Sequence, residues 1–165
     1  MSALSFSRLE PIVASYFKLK GYAVFRNIPF KYRGRWKDID VVAFNNIELY
    51  IVECKRGSLS ARNLGQEVEK LIDHYKLAEE FLRSTSPYKE LIDNLNLEIK
   101  KLYIAEYIRG EKPLIEEHNI EVRHAKDILC EIISIIKNLS GEGAYPDPFI
   151  RYMVLLAKEN LLKEC

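Results

Sequence analysis

Between Tyr22 and Lys55 the chain carries three runs rich in Val, Ile, Phe and Tyr: Tyr22 to Lys31, Lys37 to Phe44 and Ile47 to Lys55. Only Arg33-Gly34-Arg35 and Asn45-Asn46 separate them, so the runs read as three strands of a meander joined by tight turns. Amphipathic segments flank this unit. From Ser7, the apolar positions Leu9, Ile12, Val13, Tyr16 and Phe17 repeat at helical spacing, and Gly21 stops the helix after about Lys20. After Gly57, Leu64, Val68, Leu71, Ile72, Tyr75, Ala78 and Leu82 mark a long helix from near Ser60 to before Pro87. A short helix over Tyr88 to Leu95, a fourth strand over Ile99 to Ile108, a helical turn over Pro113 to His118 and a fifth strand over Ile120 to Arg123 follow. Ala125 to Leu139 is helical, Ser140 to Pro148 is a loop, and a last amphipathic helix runs through Met153, Leu156 and Leu161. This order predicts an α/β fold with a mixed sheet covered on two faces.

The chain has 165 residues, 48% of them apolar, enough for one sizeable core, and a single domain over residues 1 to 165 is expected. No apolar run approaches the roughly 20 residues that span a bilayer, and Met1-Ser-Ala-Leu-Ser-Phe-Ser lacks the regions of a signal peptide. A soluble, cytoplasmic protein is expected. Cys54, Cys130 and Cys165 are far apart with no metal-ligand spacing, which points away from zinc and iron-sulfur sites and from a disulfide framework, towards reduced thiols. Plentiful Ile, Lys, Glu and Tyr beside a single glutamine, Gln66, lean towards a thermophilic host. The net charge of +1 conceals an asymmetry: residues 1 to 62 hold 11 basic against 5 acidic side chains, leaving 14 against 19 for the remainder. The basic half is where a polyanion would dock.

Residues two apart in a strand share a face, so Glu53 and Lys55 project together while Cys54 points to the other side. A tight turn at Asn45-Asn46 pairs Phe44 with Ile47, which sets Asp40 opposite Ile51 and diagonal to Glu53 on one face. The same register sets Asp38 directly opposite Glu53, making it a rival for any metal position. Acids buried among Val42, Phe44, Leu49 and Ile51 need a partner, and a hard cation such as Mg2+ supplies one. Glu10 lies at the edge of the apolar stripe of the first helix and can aim at the same cluster, although Ser7-Arg-Leu-Glu10 also fits a capping box. The competing account of Asp40, Glu53 and Lys55 is a surface salt-bridge network at the end of a sheet.

Glu10 in the first helix, Asp40 within Ile39-Asp-Val-Val-Ala43, then twelve residues, then Glu53-Cys-Lys55 closing the next strand, resembles the PD-(D/E)XK nuclease superfamily of restriction-endonuclease-like proteins. In size and motif layout the chain is similar to archaeal Holliday junction resolvase-type members. The resemblance covers residues 1 to about 82, with the strand at Ile99 to Ile108 extending it. It implies a restriction-endonuclease-like αβββαβ core over about residues 1 to 108, with a helical C-terminal extension over about 125 to 165, and hydrolysis of DNA phosphodiesters with Mg2+ or Mn2+. Asp40 and Glu53 then become metal ligands, the Cys54 backbone carbonyl a third, Lys55 the catalytic lysine and Glu10 the helix-one acid. Ile39 stands where the motif name has proline, and Gln66 and Tyr75 lie nine apart where some relatives carry a Gln and a Tyr four apart.

Lys31, Arg33, Arg35 and Lys37, interleaved with Phe30, Tyr32 and Trp36 around Gly34, suit phosphate contact and base stacking; the alternative is an ordinary solvated turn. Arg56 and Arg62 flank the loop after the third strand and would lie near the scissile backbone. His74, His118 and His124 show no ligand spacing and read as surface or helix-edge residues. The expectation is a metal-dependent DNA endonuclease acting on branched, Holliday-junction-like DNA. It would work as a homodimer, because paired sites cut two strands symmetrically, and without a small-molecule cofactor. The alternatives are a catalytically idle nucleic-acid-binding module of the same fold and a restriction or defence endonuclease.

Overall fold

The computed structural model describes residues 9–139 and 147–159. Helix α1 spans Glu10–Leu19 with Leu9 at its N-cap, and Gly21 beyond its end takes the left-handed conformation, φ 85°. Ser7, from which the helical spacing was counted, lies outside the described residues. Pro11 suits the first turn because it has no N–H to give, and Glu10 is the first helical residue.

Three antiparallel strands follow: β1 (Ala23–Tyr32), β2 (Arg35–Phe44) and β3 (Glu48–Lys55). Arg33 and Gly34, with φ of 45° and 77°, form a two-residue turn whose handedness matches the strand twist. The basic residues of this hairpin therefore sit on its strand ends as well as in its turn. A 3-10 turn (Ala61–Asn63) leads into α2 (Leu64–Ser84), which is followed by α3 (Tyr88–Leu95) and β4 (Glu98–Ala105). Then come α4 (Glu111–Glu116), β5 (Ile120–His124), α5 (Ala125–Asn138) and α6 (Pro148–Lys158). Asp147 caps α6 by accepting from the N–H groups of Phe149 and Ile150. The expected loop is described only at Asp147 and Pro148, and Leu161 lies outside the described residues.

The sheet order is β1-β2-β3-β4-β5, with β3, β4 and β5 parallel. The fold is thus a five-stranded mixed sheet flanked by helices, with extra C-terminal helices, in keeping with a restriction-endonuclease-like core. On one face Val42, Leu49, Ile51 and Tyr103 pack against Val68, Tyr75, Leu82, Ile92 and Ile115 of α2, α3 and α4. On the other, Val41, Ala43, Val52, Leu102 and Ile104 pack against Val13, Phe17, Ile128, Ile132 and Met153 of α1, α5 and α6. Burial of each such side chain contributes about 1.5–3 kcal/mol, which is why strands covered on both faces read as nearly continuous apolar runs.

The hairpin tip between β2 and β3 lies one residue later than Asn45-Asn46 suggests. The Asn45 side chain accepts from the N–H groups of Ile47 and Glu48 at 2.8 and 2.9 Å, and the Asn45 N–H donates to the Glu48 carbonyl. Phe44 consequently pairs with Leu49 rather than Ile47, a register shift of two that leaves the paired side chains Val41 to Phe44 and Leu49 to Val52 on their expected faces.

No helix among the described residues is long and apolar enough to cross a membrane. Cys54 is a free thiol, whereas Cys130 is disulfide-bonded, which corrects the expectation of uniformly reduced cysteines. Wide spacing does not exclude a bond made in three dimensions.

Candidate functional site

The β2–β3 ladder pairs Phe44 with Leu49 through to Val41 with Val52, and continuing it by one residue sets Asp40 across from Glu53. Asp40 therefore faces Glu53 instead of Ile51, and Asp38 loses the position expected for it. Asp38 is exposed and pairs with Pro29 on the edge strand β1.

A local reversal explains why Asp40 turns inward. The β1–β2 ladder runs without interruption except at Asn27 and Asp40, and Asn27 has φ 51°. Ile39 and Val42 both belong to the α2-side core although they are three positions apart, and on β1 Ile28 belongs to it while the ring of Phe25, three positions earlier, stacks on Phe44 of the same core. An odd spacing on one face means that both strands turn over at Asn27 and Asp40. At that point the Asp40 carboxylate enters the plane of the sheet, where Oδ2 accepts the Cys54 backbone N–H at 2.7 Å.

Glu53 shares its strand face with Ile51 and Leu49, towards α2. There its Oε1 meets Nε2 of His74 at 2.8 Å, with both side chains largely shielded from solvent. Reading His74 as a surface residue is thus corrected; His118 and His124 are exposed as expected. A lone histidine on an amphipathic helix carries no sequence mark of its target, and the only available signal was its position one residue before Tyr75 on the apolar stripe.

Negative charge accumulates around Asp40. Burial is the main cause that pushes its carboxyl up to about 7; the charges of Glu53 and Glu10 add to this, while the Cys54 N–H and His74 oppose it. Glu10 contributes from the first turn of α1, and its Oε2 is buried with no hydrogen-bond partner among the described residues. Lys55 is half-buried at the end of β3, across from Ala105 on β4, and makes no ion pair among the described residues. Its backbone carbonyl accepts from the Glu106 N–H.

This donor set fits a hard divalent cation. A buried, unpartnered carboxylate oxygen and an acid held far above its ordinary range are both relieved by positive charge placed between them. Among the described residues no group of three or more His, Cys, Asp and Glu side chains stands in ready coordination geometry. That is compatible with Mg2+, which takes one or two carboxylates and fills its remaining positions with water and phosphate oxygens.

The pleat divides the basic hairpin. Tyr32 packs on the α2-side core, with Arg33 over its ring at 5.0 Å and Lys37 at 5.3 Å, so Arg35 and Lys37 line the face that carries Glu53. Lys31 pairs with Trp36, which is 70% exposed, on the opposite face. Arg56 and Arg62 are exposed after β3, Arg62 within the 3-10 turn. One feature at this end of the sheet had no sequence signal: a cleft of about 420 Å³ lined by Glu106, Tyr107, Arg109, His124 and Lys126, beyond the ends of β4 and β5.

Comparison with known proteins gives a family match and one structural likeness. A family model described as nuclease-related domain, NERD, matches residues 7–110. No curated protein matches the chain. Among solved structures, the crystal structure of protein AF1548, of unknown function, is similar with a TM-score of 0.48 and 14% sequence identity, over 93% of this chain and 98% of that one.

Proposed function

Because the chain belongs to the nuclease-related domain family, we propose that it is a metal-dependent DNA endonuclease of the PD-(D/E)XK kind, hydrolysing phosphodiester bonds with Mg2+ or Mn2+. The observation that carries this reading is the buried Asp40 carboxylate, which accepts the Cys54 N–H and feels the charge of the adjacent Glu53, with Lys55 two residues beyond Glu53 on β3. Asp40 and Glu53 would hold the cation, with the Cys54 carbonyl as a backbone donor and Glu10 reaching it directly or through water.

A bound Mg2+ would polarise the scissile phosphate and make a coordinated water more acidic. Lys55 donates a hydrogen bond to the attacking water or to a phosphate oxygen, and offsets negative charge as it builds up. Arg35 and Lys37 give the incoming backbone cationic contacts on the Glu53 side, while Trp36 and Lys31 meet it from the other face of the hairpin. Branched, Holliday-junction-like DNA is the proposed substrate, cut by two copies of the chain acting as a pair.

Glu53→Ala and Lys55→Ala should each abolish Mg2+-dependent cleavage of a panel of duplex, single-stranded, flap and four-way DNA, while leaving thermal unfolding and DNA binding near wild type. Undiminished cutting by either variant would reject the assignment. If the wild type cuts none of these with Mg2+ or Mn2+ yet binds them in a salt-sensitive way, the chain is an idle binding module. Discrete bands from a long duplex would mark it as a sequence-reading restriction or defence enzyme.

A further inference from the structure

His74 lies outside the motif that defines the proposed site, yet it makes the one direct side-chain contact to Glu53 seen among the described residues. A carboxylate only accepts hydrogen bonds, so Nε2 carries the hydrogen and donates it to Oε1. Three features fix the imidazole in place. Its ring packs against buried Phe30 with centroids 5.4 Å apart. The next residue, Tyr75, is buried and donates its hydroxyl to the Leu102 carbonyl at 2.6 Å, pinning α2 to β4 beside β3. The side chains of His74 and Glu53 are 12% and 14% exposed, so water competes little for the bond.

We propose that His74 is a positioning residue: by holding Glu53 through Oε1 it leaves Oε2 directed to a divalent cation and sets the rotamer from which Glu53 binds it. This rests on the metal-site reading above. An ionised glutamate with three rotatable bonds loses conformational freedom when it binds a cation, and a donor that has already fixed it reduces that loss. The bond also keeps Glu53 from swinging away from Asp40 when the cation is absent, two like charges otherwise tending to separate.

The test is Mn2+ binding to the full chain without DNA, followed by calorimetry and by the electron paramagnetic resonance of free Mn2+, for wild type, His74→Ala, His74→Gln, Asp40→Ala and Glu53→Ala. His74→Ala should bind Mn2+ about 10–100-fold more weakly. His74→Gln, whose amide can still donate, should recover part of that loss. In cleavage assays at saturating Mn2+, the KM for DNA should be unchanged in both. Wild-type Mn2+ affinity in His74→Ala, or a loss of thermal stability with no change in affinity, overturns the proposal and leaves the metal site standing. Nitrogen hyperfine coupling from His74 to bound Mn2+ also overturns it, by making the histidine a ligand. If His74→Ala does not fold, His74→Gln is compared with His74→Leu, of similar volume but unable to donate: weaker Mn2+ binding by the Leu variant supports the donor role, and equal affinities of the two reject it. Mn2+ affinity that is indifferent to Asp40→Ala and Glu53→Ala would instead refute the metal site itself.

Discussion

In a chelating buffer at pH 8, Asp40 carries a negative charge where the sheet is poor in water and already holds Glu53 and Glu10 nearby. Its carboxyl is raised from 3.8 to about 7, so the folded state binds this proton more tightly than the unfolded chain does. Stability attributable to this group is intact below pH 4, falls as pH climbs from about 4 to about 7, and stays low above that. Asp40→Asn keeps an acceptor for the Cys54 N–H and removes the charge. It should therefore unfold at a temperature roughly 8–16 °C above wild type at pH 8 in chelator, from about 4 kcal/mol of relieved penalty, and close to wild type at pH 4. Equal melting temperatures at pH 8 would show that the charge is not penalised. The geometry at this scale was half legible. Glu53 and Lys55 share a face through strand parity alone, and Asp40 follows from counting back through a hairpin, where a tip misplaced by one residue moves the register by two and spares the face. His74 was not legible, because nothing in a helix sequence says which strand residue its histidine meets.

Among the elements, β1 and β2 were expected as plain strands; β1 lies one residue later than expected, and β2 begins two residues earlier, at Arg35 rather than Lys37. Their simultaneous turnover at Asn27 and Asp40 was hidden, since an asparagine with positive φ inside a strand looks in sequence like any polar residue on an edge. Asn27 accepts this conformation far better than a β-branched residue does. Asn27→Val should cost about 1–3 kcal/mol in urea unfolding, and Asn27→Gly less than about 1 kcal/mol. A fully stable Asn27→Val would mean that the backbone there is ordinary strand. The helices were more legible, because their apolar stripes are long; α3 matches its expected span of Tyr88 to Leu95 residue for residue.

Across the whole molecule, the two ends of the parallel strands differ in electrostatic character. At the start of β3, Glu48 accepts from the Lys100 ammonium and the Tyr22 hydroxyl, and the Lys100 bond is the first cause holding its carboxyl below the ordinary range. At the other end, among the described residues, the Cys54 N–H and His74 offset the negative charge of the Glu10, Asp40 and Glu53 cluster. If the basic hairpin serves DNA there, Arg35→Ala with Lys37→Ala should reduce the slope of log affinity against log salt by about 2, on the rule of roughly 0.9 per phosphate neutralised. Lys31→Ala removes one cation from the other face and should lower the slope by no more than about 0.9, and a slope unchanged by the Arg35 and Lys37 substitutions would mean that the Glu53 side of the hairpin does not grip the backbone.

The paired reversal of β1 and β2 governs which sign of potential an approaching strand encounters. With an unbroken pleat, Asp38 and Trp36 would occupy the Glu53 side, and Arg35 and Lys37 would look towards α1. Two backbone twists, one in each strand, thus exchange a repelling aspartate for a pair of attracting cations without altering a single residue of the hairpin's charge.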